Sequence, residues 1–350
     1  MTQCHKLVLA AVAAALALAA AGCGGGGEAP DEVVLVTHDS FAVSKPVVRR
    51  FERESGLRLR VLRTGDAGAA LNRALLTAGK PEGDVFFGVD NNLLSRALAE
   101  DLFVPYESPA LEAVDERFLL DPEHRVTPID HGDVCLNVDR GWFERRGLAP
   151  PRDLADLTER RYRDLLVVQN PATSTPGLAF MLATVARFGD GWLDFWRALR
   201  ANGVLVVDGW EEAYTVRFSG AGGSKGKRPI VVSYASSPPA EVVFAGRPLE
   251  EAPTAVVESS CFRQVEAAGI LRGAGNEEGA RALVDFLLSL PFQEDMPLQM
   301  FVFPVRPDAD LPKAFARFAV VPERPLELPP EEIGANRDRW IREWTDVVLR

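Results

Sequence analysis

Two loops of the sequence place hydroxyl side chains directly before a proline. Residues 173–175 read Thr-Ser-Thr before Pro176, and residues 235–237 read Ala-Ser-Ser before Pro238. Proline suits the first turn of a helix, because it lacks an N–H group that would be unpaired there. The remaining N–H groups and the helix dipole attract an anion or a hydroxyl group. The loops therefore predict helix N-termini that bind a ligand, and ordinary capping by Ser and Thr is the simpler alternative.

Two aromatic residues stand near these loops at the ends of apolar runs. Trp210 lies in the segment GWEEAY, and Tyr234 ends the run VVSY. An indole is costly to leave in water, so a loop tryptophan either packs in the core or contacts a ligand. Core packing is the more common role, and the position of Trp210 after a predicted strand favours ligand contact.

The sequence gives little support for an enzyme. His38, Asp39 and Ser40 are the residue types of a catalytic triad, but adjacent residues cannot adopt its spatial arrangement. The sequence has no H-E-x-x-H, C-x-x-C or G-x-x-x-x-G-K-[ST] segment. The letters G-x-S-x-G occur at residues 222–226, in a basic, Gly-rich turn that is not a nucleophile elbow between a strand and a helix. We therefore expect a binding protein rather than an enzyme, with no cofactor and no metal. A secreted hydrolase with Ser174 or Ser237 as its nucleophile is the alternative from another class.

Predicted strands and helices alternate from residue 32 onward. We expect strands at 32–39, 57–62, 84–90, 165–170, 204–209 and 229–237. We expect helices at 45–55, 67–78, 92–100, 176–188, 191–201, 211–218 and 279–290, and a last one near the C-terminus. This order predicts an α/β fold with a largely parallel, doubly wound sheet. In such sheets ligands bind at the carboxyl ends of the strands, where the candidate loops fall.

The first 22 residues have the features of a secretory signal peptide. Lys6 precedes an Ala-rich apolar run, which ends in AAGC at residues 20–23. That ending resembles a bacterial lipoprotein cleavage box, with Ala20 in place of the usual Leu. We expect Cys23 to carry the lipid, residues 23–30 to act as a tether, and the protein to be extracytoplasmic. A membrane-spanning helix is the alternative.

The net charge of the mature chain limits its partners, and its cysteines raise the question of a disulfide. Removal of the signal peptide removes Lys6 and no acid, so the net charge changes from −11 to about −12. This charge disfavours nucleic acid and anionic lipid as partners. Cys135 and Cys261 remain in the mature chain; the compartment permits a disulfide, and we expect two buried thiols.

Eight segments occur in an order that resembles one transport family. They are DSFA (39–42), LNR (71–73), DNNLL (90–94), TSTPGL (173–178), GWEEAY (209–214), SYASSP (233–238), QVEAAG (264–269) and WIREW (340–344). Together they resemble the thiamine-binding proteins of bacterial ABC importers. The resemblance implies a two-lobed periplasmic-binding-protein type II fold, which captures thiamine or its phosphates for an ABC permease and its ATPase subunit.

The resemblance also implies a set of ligand-binding residues. Trp210 and Tyr234 match aromatic contacts to the rings, and Asp66 matches an acid that offsets the positive charge. Residues 174–175 match the loop for the hydroxyethyl or phosphate end. Relatives carry an aromatic residue in place of Ala240, and some carry a tryptophan in place of Phe301. The implied set is Asp39, Asp66, Ala67, Ser174, Thr175, Trp210, Tyr234, Ala235, Ser236 and Ser237.

The resemblance further implies a division into lobes. Residues 31–132 and 262–350 would form one lobe and residues 133–261 the other, joined by two chain crossings. A pyrimidine precursor, a polyamine or an iron complex is an alternative ligand. A surface interaction protein with a vestigial cleft is a further alternative.

Overall fold

Ten strands form one mixed sheet in the part of the chain described by the computed structural model, residues 31–350, which is one compact unit. The strands are β1 (Glu32–Thr37), β2 (Arg58–Arg63), β3 (Val85–Asp90), β4 (Phe103–Val104), β5 (Thr127–Asp139), β6 (Leu166–Gln169), β7 (Leu205–Val207), β8 (Ile230–Tyr234), β9 (Thr254–Leu271) and β10 (Phe303–Pro304). Their order is β2-β1-β3-β9-β5-β8-β6-β7, with β4 paired to β9 and β10 paired to β5. The predicted signal peptide and Cys23 lie outside the described residues.

Helices connect these strands at nearly the predicted positions. They are α1 (Lys45–Ser55), α2 (Ala67–Leu76), α3 (Leu94–Ala99), α4 (Arg140–Arg146), α5 (Thr175–Phe188), α6 (Trp192–Ala201), α7 (Pro238–Val243), α8 (Glu277–Leu287), α9 (Leu290–Gln293), α10 (Met296–Gln299), α11 (Lys313–Phe318) and α12 (Pro330–Val348). A π-helical turn spans Glu212–Arg217, and 3-10 turns span Pro109–Ala113, Glu116–Phe118, Leu154–Thr158, Arg160–Tyr162 and Gly189–Gly191.

The sheet has two parallel edges and an antiparallel centre. Strands β1, β2 and β3 pair in parallel at one edge, and β6, β7 and β8 do so at the other. Between them β5 and β9 pair antiparallel with each other, β9 with β3 and β5 with β8. The two long strands therefore connect the halves of the sheet, and the carboxyl ends of both parallel sets supply loops to one cavity.

The packing of the helices follows the local sequence. Helix α1 has Pro46 in its first turn and ends at Gly56, whose φ of 74° is left-handed. Helix α12 packs on α6, where the ring of Trp344 lies 5.3 Å from that of Trp196, edge to face. The expected lobe boundaries are not tested by these contacts and stay a prediction.

A disulfide joins Cys135 of β5 to Cys261 of β9, so the expectation of two buried thiols is wrong. The ladder between the two strands is irregular between Val134 and Leu136, and this brings the two cysteines to a Cα–Cα distance of 4.2 Å. Because the residues are 126 positions apart, the sequence did not reveal their proximity. Disulfides persist in oxidising compartments, which agrees with export.

The disulfide should stabilise the fold by restricting the unfolded chain. We expect the double variant Cys135→Ser/Cys261→Ser to lose roughly 2–4 kcal/mol of unfolding free energy, given the long loop that the bond closes. Urea denaturation checks this value. Reductant should shift the midpoint of the wild type and leave that of the double variant unchanged; equal midpoints for the two oxidised proteins would contradict the prediction.

Candidate functional site

A cavity of about 590 Å³ lies at the carboxyl ends of the strands. Its walls come from the loop after β1, the N-termini of α2 and α5, the loop after β7, the end of β8, helix α7, one residue of β9 and residues 299–302. Six of the ten predicted ligand residues line it: Asp39, Asp66, Ala67, Thr175, Trp210 and Tyr234. Their contact with a ligand stays a prediction.

The other four predicted residues lie behind the cavity lining and are buried. Ser237 Oγ bonds Ser233 Oγ at 2.8 Å and accepts the N–H of Tyr234 at 3.1 Å. The N–H of Ala235 donates to the carbonyl of Asp133, and its own carbonyl accepts from Val320. These bonds fix the end of β8, which carries Tyr234. The remaining two are Ser174 and Ser236.

Asp66 connects three segments around the cavity. Its carboxyl oxygens accept the N–H of Trp210 at 2.9 Å and the N–H of Thr175 at 3.3 Å. The N–H at the start of α5, which we expected to meet an oxygen-rich ligand, therefore meets a carboxylate of the chain itself. The close approach of helix α2 to the loop before α5 requires Gly68, since a Cβ there would lie 2.7 Å from the carbonyl oxygen of Thr173.

Aromatic rings form a stack on one wall. The rings of Trp210 and Tyr214 lie 5.0 Å apart and nearly parallel, and the ring of Tyr234 is 6.4 Å from that of Trp210. Trp210 Nε1 donates to Ser233 Oγ at 2.9 Å, which fixes the plane of the indole. Sequence reasoning missed Tyr214, although its four-residue spacing from Trp210 is the spacing of helical neighbours.

Two phenylalanines meet at another part of the lining. The ring of Phe244, 69% exposed, lies 5.7 Å from that of Phe301, edge to face. Phe301 has a φ of 56°, an uncommon conformation for a bulky residue. Phe244 was not predicted as a site residue. It follows Ala240 by four residues, so the helical period could have identified it as an aromatic on the same face.

The cavity is strongly acidic. Five carboxyl groups line it: Asp39, Asp66, Glu211, Glu241 and Glu266. Among the described lining residues Arg63 is the one guanidinium. Burial, with Arg63 nearby, lowers the pKa of His38 to about 4, so this imidazole is neutral at pH 7. A lining so rich in carboxyl groups suits a cationic ligand.

Neither a metal centre nor a membrane span was found within residues 31–350. No group of three or more His, Cys, Asp or Glu residues there could hold a metal ion. No helix in the same range is both long and apolar enough to cross a bilayer.

Comparison with known proteins identifies the family. The sequence model of the family described as bacterial extracellular solute-binding protein matches residues 81–322. The chain belongs to that family. Its members are solute-binding proteins rather than enzymes, and this places the protein outside the cytoplasm.

Curated relatives of this solute-binding protein match nearly its whole length. The thiamine-binding periplasmic protein of Salmonella typhimurium is 30% identical over 322 residues, which cover 91% of this chain and 94% of the relative. That of Brucella abortus is 28% identical over 332 residues, covering 92% and 94%. A solved periplasmic thiamin binding protein superposes with a TM-score of 0.80 at 28% identity, covering 91% of this chain and 96% of that one. The predicted periplasmic-binding-protein fold of type II is confirmed.

The environment of Asp66 predicts a pH-dependent stability. Burial raises the pKa of Asp66 from 3.8 to about 6, against the lowering effect of the Trp210 N–H. The folded state therefore binds this proton more tightly than the unfolded state does. The resulting stabilisation is complete below pH 3.8 and is lost as the pH rises through about 6. We expect the unfolding free energy of the wild type, relative to Asp66→Asn, to fall between pH 4 and pH 7.

Denaturant titrations at several pH values check this expectation. Asp208→Asn is the control, because Asp208 is an exposed carboxylate two residues before Trp210. Its difference from the wild type should vary much less over the same range. A wild type and an Asp66→Asn variant with parallel pH profiles would show that Asp66 is not perturbed.

Proposed function

We propose that this solute-binding protein captures thiamine, or a thiamine phosphate, in the cavity and delivers it to an ABC permease with its ATPase subunit. The observation that carries the proposal is an acidic cavity walled by stacked aromatic rings, in a chain similar to thiamine-binding proteins along nearly its whole length. No bond of the ligand is made or broken.

The chemistry of the ligand fits this wall. The thiazolium ring of thiamine is a cation with a π face, and such a ring gains ~0.5–2 kcal/mol over an aromatic side chain. Trp210 is half-buried and held by Ser233, so its plane is set before the ligand arrives. Preorganised rings bind more tightly, because little side-chain entropy is lost on binding.

Polar groups around the rings give the ligand an orientation. In this proposal Asp66 accepts a hydrogen bond from the aminopyrimidine or offsets the ring charge. The loop at Ser174 and Thr175 would receive the hydroxyethyl or phosphate end. Ser236 and Ser237, with the backbone of Ala235, would hold the second polar loop, and Asp39 and Ala67 would complete the contacts.

The proposal includes a hinged motion and an anchor. Residues 31–132 and 262–350 would move as one lobe and residues 133–261 as the other, with β5 and β9 between them. Asp66 bonds residues of the opposite segment, which would favour the closed form that a permease recognises. Cys23 would carry the lipid that holds the protein at the membrane.

Calorimetric titration tests the ligand. Thiamine, its mono- and diphosphate, a pyrimidine precursor, a polyamine and ferric citrate are titrated separately into the purified protein. We expect thiamine or one of its phosphates to bind most tightly. Tightest binding of one of the other three compounds, or of none, would refute the proposed ligand.

Removal of the indole tests the aromatic wall. We expect Trp210→Ala to weaken thiamine binding by at least ~1 kcal/mol, because a cation–π contact is lost. The matched control is Trp142→Ala, since Trp142 is half-buried under Arg146 and lies outside the cavity. Equal affinities for Trp210→Ala and the wild type would remove Trp210 from the site.

Removal of the exposed phenyl ring tests the other part of the lining. We expect Phe244→Ser to speed thiamine release, at a cost of ~0.5–1.5 kcal/mol in affinity, because the aromatic pair with Phe301 is lost. Leu76→Ser controls for a change of an exposed apolar residue, since Leu76 is 88% exposed. Stopped-flow fluorescence measures the release rate. Identical rates for Phe244→Ser and Leu76→Ser would contradict a role for this pair.

A further inference from the structure

Three carboxyl groups lie in a row across the sheet at the floor of the cavity. Asp90 of β3 is directly opposite Glu266 of β9, and Glu266 is directly opposite Asp130 of β5. Opposed residues on neighbouring antiparallel strands project from the same face of a sheet. All three are at least nine-tenths buried, and Glu266 is the member of the row that lines the cavity.

Among residues 31–350, no Lys or Arg side chain forms an ion pair with a carboxyl group of this row. Asp90 accepts hydrogen bonds from the N–H groups of Asn92 and Leu93 and from the side chain of Gln264. His38 Nε2 is 4.0 Å from Glu266 Oε2 and has no hydrogen-bond partner among the described residues. This buried nitrogen is neutral at pH 7, so it brings no charge to the carboxyl group.

Protonation of Asp130 and Glu266 removes the free-energy cost of burying two ionised carboxylates. The two residues are directly opposed on neighbouring strands, and Asp130 Oδ2 is buried with no hydrogen-bond partner among the described residues. Two carboxyl groups can bond each other only if one of them is protonated. Burial raises the pKa of both residues well above the ordinary values, and the neighbouring Asp130 and Asp90 raise that of Glu266 further. In the empty cavity burial and mutual repulsion therefore favour the protonated forms of these carboxyl groups.

The other titratable and charged groups near the pair come from five elements. Asp66 faces it from the N-terminus of α2, Asp90 from β3 and Tyr234 from β8. Arg63 of β2 acts on His38, and its guanidinium is bonded to the carbonyl of Phe41. Burial raises the pKa of Asp90, and the positive charge of Arg337 in α12 partly opposes this rise. His131, next to Asp130 in β5, stacks instead between Phe118 and Phe303.

We propose that Glu266 is the counter-ion of the ligand's positively charged ring, and that the Glu266–Asp130 pair releases one proton when that ring binds. This inference rests on the proposed function and extends it to residues outside the ligand set discussed above. The neutral pair and the cation become a monoanionic pair facing the cation, with one proton kept between the two carboxyl groups and one passed to the buffer. The ligand itself is unchanged.

The arrangement makes the protein selective for charge. A neutral ligand of the same shape cannot draw the proton away from a buried carboxylic acid, so it gains only the stacking and apolar contacts. A cation gains a carboxylate within the same low-dielectric pocket, where the attraction is much stronger than in water. The cationic centre of thiamine, its thiazolium, is the kind of charge that the row can recognise.

Calorimetry with a matched pair of ligands tests the inference. Thiamine and its neutral analogue, in which thiophene replaces thiazolium, are titrated at pH 7.5 in phosphate and in Tris, whose ionisation enthalpies differ widely. Asp66 and Asp90, with pKa values raised by burial to about 6, are then largely ionised. Burial also raises the pKa of Glu211 and of Glu241 in the lining, so the variants below assign the released proton to the pair. We expect thiamine to release a substantial fraction of one proton and the neutral analogue to release none. The analogue shares the aminopyrimidine ring and therefore controls for its titration.

Two isosteric variants separate the role of Glu266 as counter-ion from the role of Asp130 as its partner in the pair. Glu266→Gln should lose the proton release and bind thiamine at least about tenfold more weakly, while its affinity for the neutral analogue changes less than about threefold. Retained binding of the analogue shows that the cavity is folded. Asp130→Asn should keep the preference for thiamine and release less proton. Asp285→Asn is the control, because that carboxyl group bonds Tyr106 and Ser108 outside the cavity and its variant should behave as the wild type.

The outcomes distinguish the two proposals. If the wild type binds no form of thiamine, the proposed function fails and the inference fails with it. If the wild type binds thiamine without releasing a proton, and Glu266→Gln still prefers thiamine to the neutral analogue, the inference alone is overturned. Should Glu266→Gln not fold, the proton release of the wild type and of Asp130→Asn still decides, since its absence from both overturns the inference.

Discussion

The antiparallel pairing of β5 with β9 is the interaction on which the cavity depends. It joins two parallel sets of strands into one sheet, and the carboxyl ends of both sets then supply loops to the same space. The disulfide between Cys135 and Cys261 links the two strands within this pairing. Without the pairing of β5 with β9, the two parallel sets of strands would not belong to one sheet. The loops after β1 and β7 would then not be held next to each other, and Asp66 could not bond Trp210.

Most short elements follow from local sequence, and the two longest strands do not. Helix α1 has the predicted bounds, because an apolar period, Pro46 and Gly56 all lie within a dozen residues. Strand β5 contains Asp130 and Asp133, and such residues argue against a buried strand when read alone. The structure satisfies one of them by an ion pair, Arg263 Nε to Asp133 Oδ1 at 2.6 Å, whose partners are 130 positions apart. Local patterns carry no information about such pairs.

The same limit applies to the site. The sequence identifies loops at strand ends, because the turn chemistry there is local, and six predicted residues do line the cavity. It does not identify Glu266, since nothing around QVEAAG distinguishes a cavity carboxyl group from an exposed one. Nor does it show that the N–H of Thr175 meets Asp66, because that contact joins residues 109 positions apart. Local patterns locate candidate surfaces, whereas the polar partners that define their chemistry come from distant parts of the chain.

A buried acid that is neutral at rest also resolves a conflict between stability and binding. A permanently ionised Glu266 would destabilise the empty protein, because an unpaired charge in a closed pocket loses its hydration. A permanently neutral side chain would leave the cavity unable to tell a cation from a neutral ring of the same shape. Selectivity is a difference between two binding free energies, so the charge is needed only while the cation is present. In the proposed mechanism, release of one proton from the Asp130–Glu266 pair lets the charge develop at that moment, and the row across β3, β9 and β5 holds that charge next to the ligand.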